Sequence, residues 1–223
     1  MAVLGLLSDS DGDLVRFDAA LKLLAEKGAK RFLFAGGRYA DLDDWVKWKR
    51  EEIKAQADYS NDDFLEDVRR FLIGLEQLDR PAAFGTQWEA GRSIEELTRL
   101  KDRVVRTPER GCLSYQDSAV PKKAVDMLGS TLCCVVHDKN DLDKEDMINA
   151  AVLVHGNEAE PKLVKIGPRF FVTPGKLSGA KPTVGLLEVG DKLIFSAFTL
   201  DGAQAMEQQQ VDLTGAKSKV SVK

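Results

Sequence analysis

Residues 1 to 37 read MAVLGLLSDSDGDLVRFDAALKLLAEKGAKRFLFAGG. Residues 3–7 and 31–35 are short apolar runs with strand character, and between them Leu14, Phe17, Leu21 and Leu24 recur at helical spacing. Gly28 follows as a C-terminal stop, because glycine tolerates the left-handed backbone that closes a helix. This is a strand–helix–strand unit, the building block of parallel sheets with helices packed on a face. The loop Ser8-Asp9-Ser10-Asp11-Gly12-Asp13 then lies at the carboxyl end of the first strand. That edge is where ligand sites of such sheets sit.

Residues 42–79 are charged and helical in pattern, first with Leu42, Trp45, Val46 and Ile53, then with Phe64, Val68, Phe71, Leu72 and Leu75 behind a Ser60-Asn61-Asp62-Asp63 start signal. Ser93 with Glu96 three residues later is a capping-box pattern announcing another helix. Strands are predicted over 103–106, 132–137 and 151–155, with 143–149 a short helical link. From Lys162 onward the texture is that of antiparallel hairpins: 162–166, a Gly167-Pro168 turn, 169–173, 184–189, a Gly190-Asp191 turn, 192–200 and a last strand near 206–213. The fold class predicted is α/β, a sandwich of two sheets covered by helices. It forms a single domain over 1–213, with a helical insertion at about 42–79 and a flexible polar tail from 214 to 223.

With 223 residues the chain is long enough for one well-buried core, and its 43% hydrophobic and 30% charged residues mark an ordinary globular protein. The 36 acidic and 32 basic residues are interspersed and sum to −4, which offers no field for a polyanion and disfavours nucleic acid as a partner. Residues 1–7 lack the basic leader of a signal peptide, and no run approaches the roughly 18 apolar residues of a membrane helix. A cytoplasmic protein without membrane insertion is therefore expected. Cys112, Cys133 and Cys134 make an odd number, and Cys133 and Cys134, adjacent in an apolar strand and pointing to opposite faces, read as two small buried hydrophobes rather than a disulfide or a zinc site.

The loops, in order, resemble those of the calcineurin-like metallophosphoesterases, in their small phosphodiesterase branch. The family's S-D-x-H-G-N is here Ser8-Asp9-Ser10-Asp11-Gly12-Asp13, and its G-D after the second strand is Gly36-Gly37. Its G-N-[HC]-[DE] falls on Thr107-Pro108-Glu109-Arg110, and its H-G on His137-Asp138. G-H-x-H-x-P becomes Gly156-Asn157-Glu158-Ala159-Glu160-Pro161, and N-P-G-S-x-S becomes Thr173-Pro174-Gly175-Lys176-Leu177-Ser178. The resemblance implies a four-layer αββα sandwich of two mixed sheets and, for intact members, two divalent metals roughly 3.5–4 Å apart that activate water and bind phosphate.

Carried over residue by residue, only Asp9 and His137 keep the family's ligands. The bridging aspartate is Gly37, and Asp11, Pro108, Asn157 and Ala159 replace the other donors. Asp9, Asp11, His137 and Asn157 are the vestigial metal candidates; no resident cofactor is expected, though a single Mg²⁺ or Mn²⁺ near Asp9, Asp11 and His137 has room in the pattern. Asp9, Asp11 and Asp13 also alternate like a calcium loop, but Gly12 interrupts early and a helix starts at Leu14, so they read as acids at a helix N-terminus. His155 matches no family ligand and reads as structural.

Three functions follow as expectations. The first is an inactive metallophosphoesterase-like domain serving as a protein-binding scaffold, with Trp45 and Trp48 of the added helices as contact residues and another protein as partner. The second is an active metal-dependent phosphodiesterase or phosphatase with a rebuilt site in which Asp9 and His137 act. The third is a module that senses a small ligand such as a nucleotide.

Overall fold

The computed structural model describes residues 2–56, 115–116 and 122–213. β1 (Ala2–Leu7) leads through the loop 8–13 into α1 (Leu14–Glu26), followed by β2 (Arg31–Phe34) and α2 (Ala40–Gln56). Then come β3 (Ala124–Leu128), β4 (Thr131–Val136), a 3-10 turn (Lys139–Asp141), α3 (Lys144–Asn149) and β5 (Val152–His155). Three hairpin-linked pairs close the chain: β6 (Pro161–Ile166) with β7 (Arg169–Pro174), and β8 (Thr183–Val189), β9 (Lys192–Thr199) and β10 (Gln204–Asp212). The chain divides into two compact units, Met1–Asp41 with Pro121–Lys223, and Leu42–Val120.

In the first unit the ten strands form two five-stranded sheets, β10-β9-β8-β1-β2 and β3-β4-β5-β7-β6. Both are mixed: β1 runs parallel to β2 but antiparallel to β8, and β4, β5 and β7 are mutually parallel between antiparallel β3 and β6. Leu4, Leu6, Leu33 and Phe195 of the first sheet pack on Cys133, Val135, Val152, Val154, Phe170 and Val172 of the second, and nearly all are withdrawn from water. Each such side chain contributes about 1.5–3 kcal/mol on burial, which makes this interior the main source of stability.

Helices cover the outer faces. α1 starts where the Asp13 carboxylate accepts the N–H of Arg16 at 3.0 Å, and it ends at Gly28, whose φ of +94° only glycine adopts without strain. Its buried stripe of Phe17, Ala20, Leu21 and Leu24 lies on β1 and β8. On the other side Met147 of α3 and Leu142 pack over Cys134, Val136, Leu153 and Phe171. The layers are therefore helix, sheet, sheet, helix, as the sequence predicts. Lys123 holds α3 in place, its Nζ 2.8 Å from Asp143 and 2.9 Å from Asp146. That ammonium keeps the Asp143 carboxyl at about 2.

The cysteine pair follows the alternation of a strand. Cys133 faces the intersheet core and Cys134 the helix-covered face, and burial pushes the Cys134 thiol up to about 12. β3 is an element that the sequence reading did not assign. Its residues alternate in burial, and Gly129, with φ +68°, makes the tight turn into β4.

Of the second unit, α2 from Leu42 and Tyr115–Gln116 are described. The Asp43 carboxylate accepts the backbone N–H of Tyr115 at 2.7 Å and of Gln116 at 3.1 Å. The helices expected over 57–79 and after Ser93, the strand over 103–106, Cys112 and the tail 214–223 lie outside the described residues. Among the described residues no helix is long and apolar enough to cross a membrane.

Candidate functional site

The carboxyl ends of β1, β2, β4 and β5 converge at one edge of the first unit. Gly156, after β5, comes so close to the Ala35 carbonyl after β2 that no side chain fits between them. The two backbone N–H groups of Gly156 and Asn157 both donate to the His137 carbonyl, at 3.0 and 2.9 Å. The first loop is tied down in turn: Ser8 Oγ donates to the Gly175 carbonyl at 2.6 Å, and Ser178 N–H to the Asp9 carbonyl at 3.1 Å. This is how the motif around Pro174-Gly175 meets the Ser8-Asp9 loop.

Asp9 is almost buried, and its Oδ1 accepts the backbone N–H of Arg38 at 2.8 Å. Its Oδ2 lies 3.7 Å from His137 Nδ1, beyond hydrogen-bond reach, while that nitrogen is 3.4 Å from the Ala35 carbonyl. The structure thus places Asp9 and His137 side by side. A Cβ built on Gly37 would meet the His137 ring at 2.7 Å from Cδ2 and 2.9 Å from Cγ and Nε2. The imidazole fills the space into which a side chain at position 37 would project. A Cβ on Gly36 would strike Asp9 Oδ1 and the Phe34 ring.

Asp11 is exposed, with a left-handed φ of +54°. Asn157 turns to the side: its Nδ2 donates to Asp138 Oδ2 at 2.7 Å. With the Asn140 N–H at 2.8 Å, which is the larger influence, this keeps the Asp138 carboxyl below its usual range. Glu158 accepts from Lys139 Nζ at 3.1 Å, and that contact holds its carboxyl low as well. His155 is 6% exposed, and burial depresses its basicity, so it stands as a neutral ring at the end of β5. Pro108 and Glu109 lie outside the described residues.

The residue that organises this edge was not singled out by motif. Asp41, at the start of α2, is wholly buried and accepts four hydrogen bonds: from Ser10 N–H and Ser10 Oγ at 2.8 Å each, Gly12 N–H at 3.1 Å and Arg38 Nε at 2.8 Å. It shapes the first loop from within. A carboxylate in the opening turn of a helix is the available signal, since the helix dipole favours it there, but nothing local says that it reaches back thirty residues.

Among the described residues no group of three or more His, Cys, Asp or Glu side chains is placed to hold a metal ion. Among the described residues the donors do not make up the set that a metal pair needs. Position 37 has no side-chain ligand, the His137 ring lies where one would enter, and one oxygen of Asp9 already accepts a backbone N–H. In the second unit Trp45 is 4% exposed and packs inward, whereas Trp48 is half-buried with Lys49 Nζ 4.6 Å from its ring centroid. Of the two indoles only that of Trp48 is presented to solvent.

Comparison with solved structures places the fold. Vacuolar protein sorting 29 from Cryptosporidium parvum aligns over 95% of this chain and 98% of its own at a TM-score of 0.50, with 14% identity. A Streptococcus pneumoniae protein described as a predicted phosphoesterase gives 0.49 at 14% identity over 95% and 97%. The Escherichia coli phosphoesterase Yfce gives 0.47 at 17% over 95% and 99%. No protein-family profile matches the sequence, and no curated protein matches it. The first alignment assigns the fold alone: two mixed sheets between helices, arranged as in that protein.

Proposed function

We propose that this chain is a catalytically silent metallophosphoesterase-like domain that works as a protein-binding scaffold or regulatory module. The observation that carries the reading is the His137 ring standing where a bridging ligand from position 37 would have to enter. A two-metal hydrolase needs that ligand to hold its ions at the spacing that clamps attacking and leaving oxygens. The remaining polar groups support the reading through what they already do. Asp9 anchors Arg38, Asp41 ties up the first loop, and Asp138, Asn157, Lys139 and Glu158 satisfy one another. These bonds hold the loops in one shape, as a docking surface requires, and leave few groups to engage a substrate. The neighbour named for vacuolar protein sorting is a precedent for this fold in a protein named for a task other than hydrolysis. The reading takes the partner to be a protein in the cytosol and the chain to need no resident metal.

The test is hydrolysis of bis(4-nitrophenyl) phosphate with added Mn²⁺, run on the unsubstituted chain and on Asp9→Ala and His137→Ala. The expected result is no turnover above the protein-free blank, with both substitutions altering stability alone. Metal-dependent turnover that either substitution abolishes would overturn the proposal in favour of a rebuilt hydrolase.

A further inference from the structure

Two Asp-Gly pairs stand in the chain, Asp11-Gly12 in the first loop and Asp201-Gly202 in the turn between β9 and β10. An Asp-Gly bond can rearrange without an enzyme, because glycine puts no side chain in the way of its own nitrogen. That nitrogen attacks Cγ of the aspartate side chain. A bond forms from the glycine nitrogen to Cγ, and the carboxyl hydroxyl leaves with the nitrogen's proton as water, which closes a five-membered succinimide ring. Water then adds to one of the two ring carbonyls. Addition at Cγ restores aspartate. Addition at the former main-chain carbonyl leaves the chain running through Cβ as isoaspartate, with that carbonyl now a free carboxylate. Nothing is oxidised or reduced, and water is the only co-reactant.

The fold treats the two pairs differently. Both glycine nitrogens are already bonded, Gly12 N–H to Asp41 Oδ1 at 3.1 Å and Gly202 N–H to the Thr199 carbonyl at 2.9 Å, so the nucleophile does not distinguish them. The carboxyl groups do. Asp201 Oδ1 accepts from Thr199 Oγ1 and from the Ala203 N–H at 3.2 Å, and these donors hold that carboxyl below its usual range. A carboxyl kept ionised has no hydroxyl to release. The Asp11 carboxylate is exposed and, among the described residues, has no hydrogen-bond or ion-pair partner to hold it away from Gly12. Asp11 is also, among the described residues, the one residue other than glycine with a left-handed backbone, at φ +54°. In that conformation the Cβ of an L residue crowds the following carbonyl. An isoaspartyl link relieves the crowding, since the chain then runs through Cβ instead of past it.

We propose that Asp11-Gly12 is a self-modification site, at which the folded chain converts to isoaspartate ahead of Asp201-Gly202. The change bears on the converged edge. Isoaspartate adds one main-chain carbon between Ser10 and Gly12, both of which are bonded to the same buried Asp41 carboxylate. The longer loop strains those bonds, so the modified chain carries a loosened first loop. The inference stands whether or not the site is catalytically silent.

The test is ageing of the full chain in neutral buffer at physiological temperature over several weeks. Isoaspartate is located by electron-transfer fragmentation of the peptides, which cleaves the Cα–Cβ bond that the rearrangement places in the main chain. In the folded protein Asp11 is expected to convert about tenfold faster than Asp201 or more, the effect of two hydrogen bonds that one carboxyl must give up and the other lacks. In guanidinium chloride the two rates should converge. Thr199→Val removes one donor and should speed conversion at Asp201 severalfold, with the Asp11 rate and the protection of α1 amides unchanged. The converted fraction should exchange its Ser10 amide hydrogen faster than fresh protein. No isoaspartate at Asp11 in the folded chain, equal rates at the two pairs, or an Asp201 rate unmoved by Thr199→Val would each overturn the proposal. So would an excess at Asp11 that persists in guanidinium chloride, because the preference would then belong to the sequence and not to the fold.

Discussion

Gly37→Ala should destabilise the protein, which is the opposite of the usual expectation. Gly37 is not in the left-handed region, so in open space the added methyl would restrict the unfolded chain and stabilise by about 0.4–1 kcal/mol. Here the new Cβ meets three His137 ring atoms at 2.7–2.9 Å, well inside van der Waals contact, so the ring must shift from its place 3.4 Å from the Ala35 carbonyl. Overpacking of this kind costs about 1–3 kcal/mol. At this chain length that is a fall in melting temperature of about 2–12 °C. Gly37→Asp should lose at least as much and gain no metal pair. The decisive assay is a double-mutant cycle by urea denaturation with His137→Ala. Removing the ring should return most of the loss, a coupling of about 1 kcal/mol or more between the two positions. A neutral or stabilising Gly37→Ala, or additivity in the cycle, would refute the claim that the ring occupies the bridging site.

Asp41→Ala would leave Ser10, Gly12 and the Arg38 guanidinium without their acceptor, and it should cost about 3 kcal/mol in urea denaturation, with faster exchange of the Ser10 and Gly12 amides. For Asp143, held at about 2 when folded against roughly 3.9 unfolded, the stabilisation is complete above the unfolded value and is lost as pH falls towards 2; Lys123→Met should flatten that acid limb of a pH–stability curve. Burial holds the His155 imidazole below its ordinary value of about 6.5, so its contribution is intact above that pH and declines below it, and His155→Gln should remove this part of the decline between pH 7 and 5.5. Cys133 and Cys134 should stay unalkylated by iodoacetamide in the native protein and react only in denaturant, as peptide-resolved mass spectrometry would show.

Much of the first unit was legible in the sequence because its signals are local. The period of Leu14, Phe17, Leu21 and Leu24 gives α1, Gly28 gives its end, and the turns at Gly167-Pro168 and Gly190-Asp191 give hairpins whose strands fall within a residue or two of those observed. β3 escaped because five residues of mild alternation are no stronger than chance until Gly129 is recognised as a hairpin turn. At the candidate site, motif order alone brought Asp9 and His137 together, 128 positions apart along the chain. Sequence could say that Gly37 carries no ligand, but not that the space beside it is filled, since that depends on how β2 and β4 pack across the core. The role of Asp41 was invisible for the same reason: its four donors come from another loop and from Arg38, and hydrogen bonds between distant loops leave no period to read. Trp45 shows the converse limit, for an indole at a helical position reads alike whether it packs inward or meets a partner.

The measurement that bears most directly on a silent, metallophosphoesterase-like scaffold is the metal content of the protein purified without chelators, determined by elemental analysis and followed by calorimetric titration with Mn²⁺ and Zn²⁺. The account predicts no stoichiometric metal and no two-site binding isotherm. Two equivalents held tightly would contradict it, because a pair bridged from position 37 could be seated only if the His137 ring swung away from Gly37.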